Sequence, residues 1–368
     1  MNICYISNSA APSKNASSLQ TANLCAELVK QGHKVQLILP NTGLNKNYFK
    51  YYGIKNYFKI LKLKKFDKFP RGLYYYLYSI FSVFASHPKK QDLYITRNYF
   101  TLFILVLLKK KSILEIHNDL KIEGRIIKLI VKFTKYLNSK FILNIITTTK
   151  SLKKKFVNDY EVYKNKIKVL HNTSSLSFRF KETPKRKKRI NIAYFGSIYS
   201  SRGIDLFLEL SKIDLKNNYF LFGGSSIEIL RLKEKFDNKN LFLNSYQPYS
   251  EIKKYINKVD VALLPYTSKI TVSGNVGDIS LYTSPLKIFD FMKAGKLILC
   301  SDLKVIREIL VNNHNSILIK NFKNKKIWLN KIRLISTNFK KYDKIRLNAF
   351  NYAKKYNQNW RVKKLLTF

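Results

Sequence analysis

Short apolar runs alternate along this chain with longer segments of helical period, and glycine or polar clusters punctuate the changes. Residues 2–6 (NICYI) form the first run, a helical pattern over 19–30 ends before Gly32, and 34–39 (KVQLIL) is apolar again. A helix crossing between two strands implies that they are parallel. Further strands are expected at 93–96, 112–116, 145–148 and 166–170. A second series opens at 190–195 and continues through 219–222, 241–243, 261–264 and 297–300. Between the series a basic stretch at 185–189 follows Pro184 and reads as a linker. Two doubly wound α/β domains are the economical interpretation, with ligands outside the carboxyl ends of the strands, so that the domains are expected to face each other across a cleft.

Composition adds bounds to this pattern. At 368 residues, with 46% hydrophobic positions, 12 Gly and 8 Pro, the chain is long enough for two buried cores and is neither disordered nor fibrous in character. The net charge of +47 is extreme. Nucleic-acid binding, attraction to an anionic membrane face and a coding bias toward Lys, Asn, Ile, Tyr and Phe all account for it; the bias is favoured as the main cause because those residues are abundant in nearly every segment. No helix-turn-helix or RNA-recognition pattern accompanies the charge, so nucleic acid is not an expected partner. Residues 48–111 interleave Lys and Arg with Tyr, Phe and Leu, as a segment lying in a membrane interface does. Ordinary core helices with lysines on the outer face give the same pattern, and that reading is preferred. The run over 73–85 is too short to span a bilayer.

Cys4, Cys25 and Cys300 are scattered singly, which fits a reducing cytoplasm. The histidines at 33, 87, 117, 171 and 314 show no metal-ligand spacing, so no metal is expected. No basic-then-apolar leader precedes the first strand, and a cytoplasmic protein, soluble or peripheral on the inner face of the cell membrane, is expected.

Residues 283–302 (TSPLKIFDFMKAGKLILCSD) concentrate the chemistry. Ser284 is a candidate N-cap and Pro285 a first helical residue, leaving free amides that attract phosphate. Leu286, Ile288, Phe289, Phe291 and Met292 supply apolar surface, while Lys287, Asp290 and Ala294 share the remaining face, which is left for a ligand. A solvated Lys287–Asp290 ion pair is the plain alternative. Gly295 ends the helix before the strand 297–300. After the strand ending at Phe195, Gly196 and Ser197 open a loop that closes with Arg202 and Gly203 before a helical pattern, a turn whose amides and guanidinium suit a diphosphate. Gly223 and Gly224 follow the next strand and permit close backbone approach to a ligand. In the first series, Glu115-Ile116-His117 places a histidine at a strand's carboxyl end, where it can move a proton or orient a hydroxyl.

The 283–302 run resembles the SPLK-x-FEYM-x-x-G-K-P-I-x-x-SD signature of retaining, GT-B-fold family 4 glycosyltransferases (glycosyl transferases group 1), which use nucleotide sugars. The resemblance covers nearly the whole chain, is strongest over 190–310 and weak over 41–91. It implies a GT-B architecture of two Rossmann-like domains: an acceptor-side domain at 1–180, a linker at 181–189, a nucleotide-sugar-binding domain at 190–350, and a C-terminal helix at 351–368 returning to the first domain. It further implies donor-binding roles for Gly196, Ser197, Arg202, Gly224, Ser284, Lys287 and Asp290, the last standing where the family's ribose-binding glutamate stands. The family's first paired glutamate falls at Tyr282, a second family arginine at Ser197, and a turn glycine at Thr173, after His171-Asn172. His117 resembles the histidine that contacts the transferred sugar, and Arg97 resembles a YxR segment on the acceptor side. Asn15-Ala16-Ser17-Ser18 stands where members carry a Gly-Gly pair; its hydroxyl and amide groups are expected to cap a helix beginning near Leu19 and to contact a ligand, with Ser17 and Ser18 on the acceptor side.

The expected function is therefore transfer of a sugar, with retention, from a nucleotide diphosphate donor to a glycan or polyprenyl-linked acceptor in bacterial surface polysaccharide synthesis. The nucleotide sugar is a substrate, no separate cofactor is expected, and an anionic membrane surface is a further expected partner. Stabilisation of the departing diphosphate by Arg202, Lys287 and helix amides would carry catalysis without a metal. A nucleotide-sugar epimerase of the same architecture is the nearest alternative; it needs more carboxylates and histidines than His117, His171 and Asp119 offer. A basic nucleic-acid-binding protein is the alternative of a different class.

Overall fold

A computed structural model describes residues 1–41, 47–64, 70–86, 90–183, 189–271 and 277–368, the side chain of Arg71 excepted. His87 and residues 184–188 of the expected linker lie outside the described residues. The chain divides into two compact units, Met1–His171 with Gln358–Phe368, and Asn172–Asn357.

The first unit holds a seven-stranded parallel sheet of β1 (Asn2–Ile6), β2 (Lys34–Pro40), β3 (Lys59–Leu63), β4 (Leu93–Thr96), β5 (Ser112–Ile116), β6 (Ile142–Thr147) and β7 (Ile167–Val169), in the order 3-2-1-4-5-6-7. The second holds β8 (Asn191–Phe195), β9 (Asn218–Phe222), β10 (Leu241–Asn244), β11 (Val261–Leu264), β12 (Leu297–Ser301) and β13 (Ile317–Ile319), also all parallel, in the order 10-9-8-11-12-13. Both are Rossmann-like α/β sheets. Their strands are apolar runs because both faces are covered. In the second unit, successive residues alternate between two cores: Ala193, Phe195, Ala262, Leu264, Ile298 and Cys300 pack on one side, and Ile192, Tyr194, Val261, Leu263, Leu297 and Leu299 on the other. Each Val, Leu, Ile or Phe among them contributes roughly 1.5–3 kcal/mol on burial.

Two strands were not evident in the periodicity. Lys59–Leu63 lies in the stretch read as amphipathic and basic-aromatic; it is the edge strand β3, with Lys59 and Lys62 exposed, and the short helix before it packs Tyr48 and Phe49 edge-on against Phe58 at 6.0 and 5.1 Å. The other, β13, is three residues long. Among the described residues no helix is long and apolar enough to cross a membrane.

Strand order reverses beside β1 in the first unit, between β1 and β4, and beside β8 in the second, between β8 and β11. Such switch points open a crevice at the strands' carboxyl ends. The candidate residues of each unit gather there.

Candidate active site

In the second unit, β8 ends at Phe195 and the chain turns at Gly196, whose φ of 135° favours glycine. The loop then lies against the segment that follows β11. Gly203, at φ 78°, touches Pro265 so closely that a Cβ there would stand 1.7 Å from the Pro265 carbonyl oxygen. Gly223, after β9, abuts Gly196 in the same way, with a Cβ 1.8 Å from the Gly196 oxygen. Gly224 follows, its carbonyl accepting from the Tyr246 amide at 2.9 Å. Small residues thus bring three loops together where the strand order reverses.

Lys287 reaches into this junction from the first turn of the helix Leu286–Lys293. Its Nζ donates to the Phe195 carbonyl and stands 5.0 Å from the Tyr194 ring centre and 5.6 Å from that of Tyr266. Arg202 enters from the β8 loop; its Nη2 donates to the Thr271 carbonyl, and its Nε is buried without a hydrogen-bond partner among the described residues. Burial, then the positive charge of Arg202, pushes the Lys287 ammonium down to about 7. Among the described residues neither cation has a carboxylate partner. Two cations held close, enclosed and uncompensated, form a site that an anion completes.

The other residues expected on the donor side are placed differently. Pro285, with φ −67° and ψ 120°, is the N-cap, so the helix begins one residue later than expected and Ser284 caps nothing. Ser284 instead accepts from the Asn172 amide through its hydroxyl at 3.4 Å and from Asn172 Nδ2 through its carbonyl. Gly295 does close the helix, with its amide on Met292 and the Lys296 amide on Phe291. Ser197 is exposed, and its carbonyl accepts from the Tyr194 hydroxyl at 2.6 Å. Asp290 does not share an open face with Lys287. It is buried, with Oδ1 accepting from Ser174 Oγ at 2.6 Å and Tyr249 Oη at 2.9 Å, and burial raises it to about 6 against those two donors. The simple Lys287–Asp290 ion pair is absent, because each side chain is engaged by a different loop.

In the first unit, β5 ends at Glu115-Ile116-His117 beside β4 and Arg97. Glu115 is fully buried and bridges two guanidinium groups: Oε2 accepts from Arg97 Nε at 3.3 Å, and Oε1 from Arg361 Nη2 at 2.7 Å. The Tyr5 hydroxyl adds a donor to Oε2 at 3.0 Å. Burial would raise the Glu115 carboxyl, but Arg97 and Arg361 hold it well below the usual carboxylate range. His117 lies beside this network with Nε2 buried and unpartnered among the described residues. Burial first, then Arg97, pushes its imidazole well below 6.5, with Glu115 opposing. The ring is therefore neutral at physiological pH and offers one donor and one acceptor.

Arg97 Nη1 also donates to the Ser17 carbonyl at 3.2 Å. The helix carrying Ser17 and Ser18 starts at Ala16, with Asn15 as N-cap, so both serines lie inside its first turn and do not cap it. Ser18 is buried and its hydroxyl turns back to the Ala10 carbonyl at 3.3 Å. Among the described residues no three His, Cys, Asp or Glu side chains are grouped as metal ligands are.

Two family models match the chain: glycosyl transferases group 1 over residues 177–352, and glycosyltransferase family 4 over residues 18–177. Together the two matches span residues 18–352: the chain is a glycosyltransferase with a group 1 domain. No curated protein matches this glycosyltransferase in sequence. Solved structures share its fold. HepE of Anabaena, in complex with UDP and glucose, aligns with a TM-score of 0.70 at 13% identity, covering 100% of this chain and 99% of that one. Sucrose-phosphate synthase of Thermosynechococcus elongatus gives 0.72 at 12% identity, over 99% and 96% of the two chains. A glycosyltransferase of Rickettsia africae gives 0.69 at 14% identity, with the same coverage.

Several residues that build the two candidate sites carried no sequence signal. Ser174 and Tyr249 enclose Asp290 from segments 116 and 41 residues away. Arg361 belongs to the helix Gln358–Leu366, in a stretch rich in other basic residues. Tyr194 was visible only as an apolar strand residue, although its ring centre lies 5.0 Å from Lys287 Nζ.

Proposed function

We propose that this glycosyltransferase retains anomeric configuration and takes its sugar from a nucleoside diphosphate donor, passing it to a glycan or polyprenyl-linked acceptor. The observation that carries this reading is the uncompensated cation pair, Lys287 and Arg202, at the switch point of the second unit. A diphosphate supplies the missing negative charge, and its charge increases as the sugar bond breaks, so the pair stabilises the departing group more than the ground state. HepE, which shares the fold, has been solved with UDP and with UDP-glucose. The reading assigns Gly196, Ser197, Gly224, Ser284 and Asp290 to the donor's surroundings, His117 to the transferred sugar, and Arg97, Ser17 and Ser18 to the acceptor side. It gives no step to a metal or a separate cofactor. A role in bacterial surface polysaccharide synthesis, in the cytoplasm or at the inner membrane face, agrees with the fold shared with the lipopolysaccharide outer core galactosyltransferase WaaB, with a TM-score of 0.65 at 12% identity. The anomeric configuration of the product, read by proton NMR against that of the donor, tests the retaining assignment; inversion removes it.

Proton linkage gives a direct test of the anion site. The Lys287 ammonium sits lower in the folded protein than its ordinary 10.5, so between about 7 and 10.5 the unfolded chain holds a proton that the fold has released. Stability of the empty protein therefore rises with pH across that window. A bound diphosphate restores the proton. Calorimetric titration with UDP at pH 8, in two buffers of different ionisation enthalpy, is expected to show uptake approaching one proton, and affinity is expected to weaken as pH rises above about 7. Uptake near zero that is unchanged in Lys287→Met would exclude the lysine from the site.

Gly196→Ala offers a steric version of the same test. A Cβ at that position would stand 2.6 Å from Lys287 Nζ, on a backbone with positive φ, so the ammonium must leave the Phe195 carbonyl. UDP affinity is expected to fall by about tenfold or more, in line with the loss of one charge-assisted hydrogen bond. Unchanged affinity would show that the lysine's position is immaterial.

A further inference from the structure

The helix Arg125–Thr134 (RIIKLIVKFT) buries little of its apolar surface. Ile127 and Val131 face the interior of the first unit. Ile126, Leu129 and Phe133 are exposed, as is Ile122 on the preceding turn, and Phe133 reaches 77%. At about 100° per residue, Ile126, Leu129 and Phe133 occupy a single arc of about 60° on the helix. The exposed cations Arg125, Lys128 and Lys132 fill the neighbouring arc. The helix thus shows three faces: one buried, one apolar and open, one cationic and open.

Its surroundings reinforce the pattern. Lys121, Lys135 and Lys140 are exposed at its two ends, and Lys135 is paired with Glu161 at 2.9 Å. Glu123 is the only acid between residues 120 and 141, and burial raises it to about 7. The helix is anchored at its carboxyl end, where the buried Tyr136 packs on Phe103 at 5.3 Å and donates to the Tyr99 carbonyl at 2.8 Å. An apolar arc flanked by cations, on a short helix fixed to a rigid sheet, has the form of a surface that rests in the interface of a lipid bilayer, apolar side chains among the acyl boundary and ammonium groups at the headgroups.

We propose that Ile122, Ile126, Leu129 and Phe133, with Arg125, Lys128 and Lys132, form a docking face for an anionic lipid bilayer. Charge complementarity selects this occupant: Arg125, Lys128 and Lys132 outnumber the one exposed acid beside them, Glu161, which is paired with Lys135 and lies near Lys132, and anionic headgroups attract such residues within a Debye length. It lies outside the stretch 48–111 whose composition first suggested membrane contact, and it does not depend on which sugar is transferred.

Co-sedimentation of the full chain with vesicles tests the proposal. Vesicles of phosphatidylcholine with about 30% phosphatidylglycerol are expected to bind the protein more tightly than phosphatidylcholine alone, and less so as salt rises. The triple variant Ile126→Ser, Leu129→Ser, Phe133→Ser is expected to lower partitioning about tenfold or more. Lys128→Glu with Lys132→Glu should lower it by a similar factor and flatten the salt dependence. The same reversal at Lys216 and Lys239, exposed in the second unit, should change it less than about twofold, because general positive charge is not the determinant. All these side chains are exposed, so the variants should keep the wild-type melting profile. Binding of the triple-serine variant within about twofold of wild type would overturn the proposal, as would equal effects of the two charge reversals. So would absence of vesicle binding by the wild type. A wild-type dimer in sedimentation velocity that the triple-serine variant dissociates would assign the face to a second copy of the chain and overturn the lipid assignment.

Discussion

Lys287→Ala is expected to reduce sugar transfer by about 10²–10³ in kcat while leaving the fold intact, the range typical for removing one preorganised electrostatic stabiliser. The physical basis is the imbalance at the β8–β11 switch point. Burial and, second to it, repulsion from Arg202 disfavour the Lys287 ammonium in the empty protein, which falls to about 7. Removing one cation relieves that repulsion, so thermal stability of the empty variant should be equal to or slightly above wild type. Truncating a residue that merely fills space would do the reverse, leaving a cavity and lowering the melting temperature. The distinguishing measurement is therefore a pair: kcat, and the melting temperature with and without UDP. Stabilisation by UDP should largely disappear in the variant. Full activity, or a variant destabilised in the absence of ligand but still stabilised by UDP, would remove Lys287 from the proposed anion site.

Glu115→Ala is expected to destabilise the first unit by about 3–5 kcal/mol, the cost of leaving buried charges uncompensated. Glu115 is the shared partner of Arg97 and Arg361, and both guanidinium groups are largely shielded from water. Without the carboxylate, two like charges remain close to each other, and the Tyr5 hydroxyl loses its acceptor. Glu115→Gln keeps the shape and an acceptor without the charge, so it should fall between wild type and Ala. Hydrogen exchange read by mass spectrometry separates this effect from global damage: protection should fall in β1, β4, β5 and the helix Gln358–Leu366, and hold in β8–β13. Uniform loss across both units, or none, would contradict the bridge. The pH sign follows from the depressed carboxyl. Its contribution is present above the ordinary carboxylate range and is lost as pH falls toward the much lower folded value, so acid sensitivity attributable to Glu115 should vanish in the Ala variant.

The sites were legible in the sequence to different depths. Gly196, Arg202 and Gly203 announced themselves because a strand, a small residue and a cation before a helix are features of neighbouring positions. Lys287 was singled out in the same way, from an expected helix start followed by a buried strand, although Ser284 does not cap that helix. Asp290 shows the limit of that approach. Helical spacing put it on the face of Lys287, yet Ser174 and Tyr249, distant in sequence, close over its carboxylate. The cluster 15–18 was read as a cap because polar residues precede an apolar pattern; Asn15 is the N-cap, but the backbone turns helical at Ala16, three residues before Leu19, and the Ser18 hydroxyl returns to Ala10. The exposed stripe on the helix Arg125–Thr134 also escaped the pattern, since an apolar position reads as core until a structure shows it exposed among the described residues.

By itself the sequence determined what depends on neighbours along the chain: the alternation of strand and helix, the parallel sheets that crossover helices impose, and the glycine turns at Gly196 and Gly203. Tertiary structure decided what depends on distance in space. The bridge from Glu115 to Arg361 spans 246 residues, and the two meet only because the last helix belongs to the first unit. Periodicity reports which face of an element is apolar. It carries no information on which charged group will arrive opposite, because that is set by the order of strands in each sheet and by loops that no local spacing encodes.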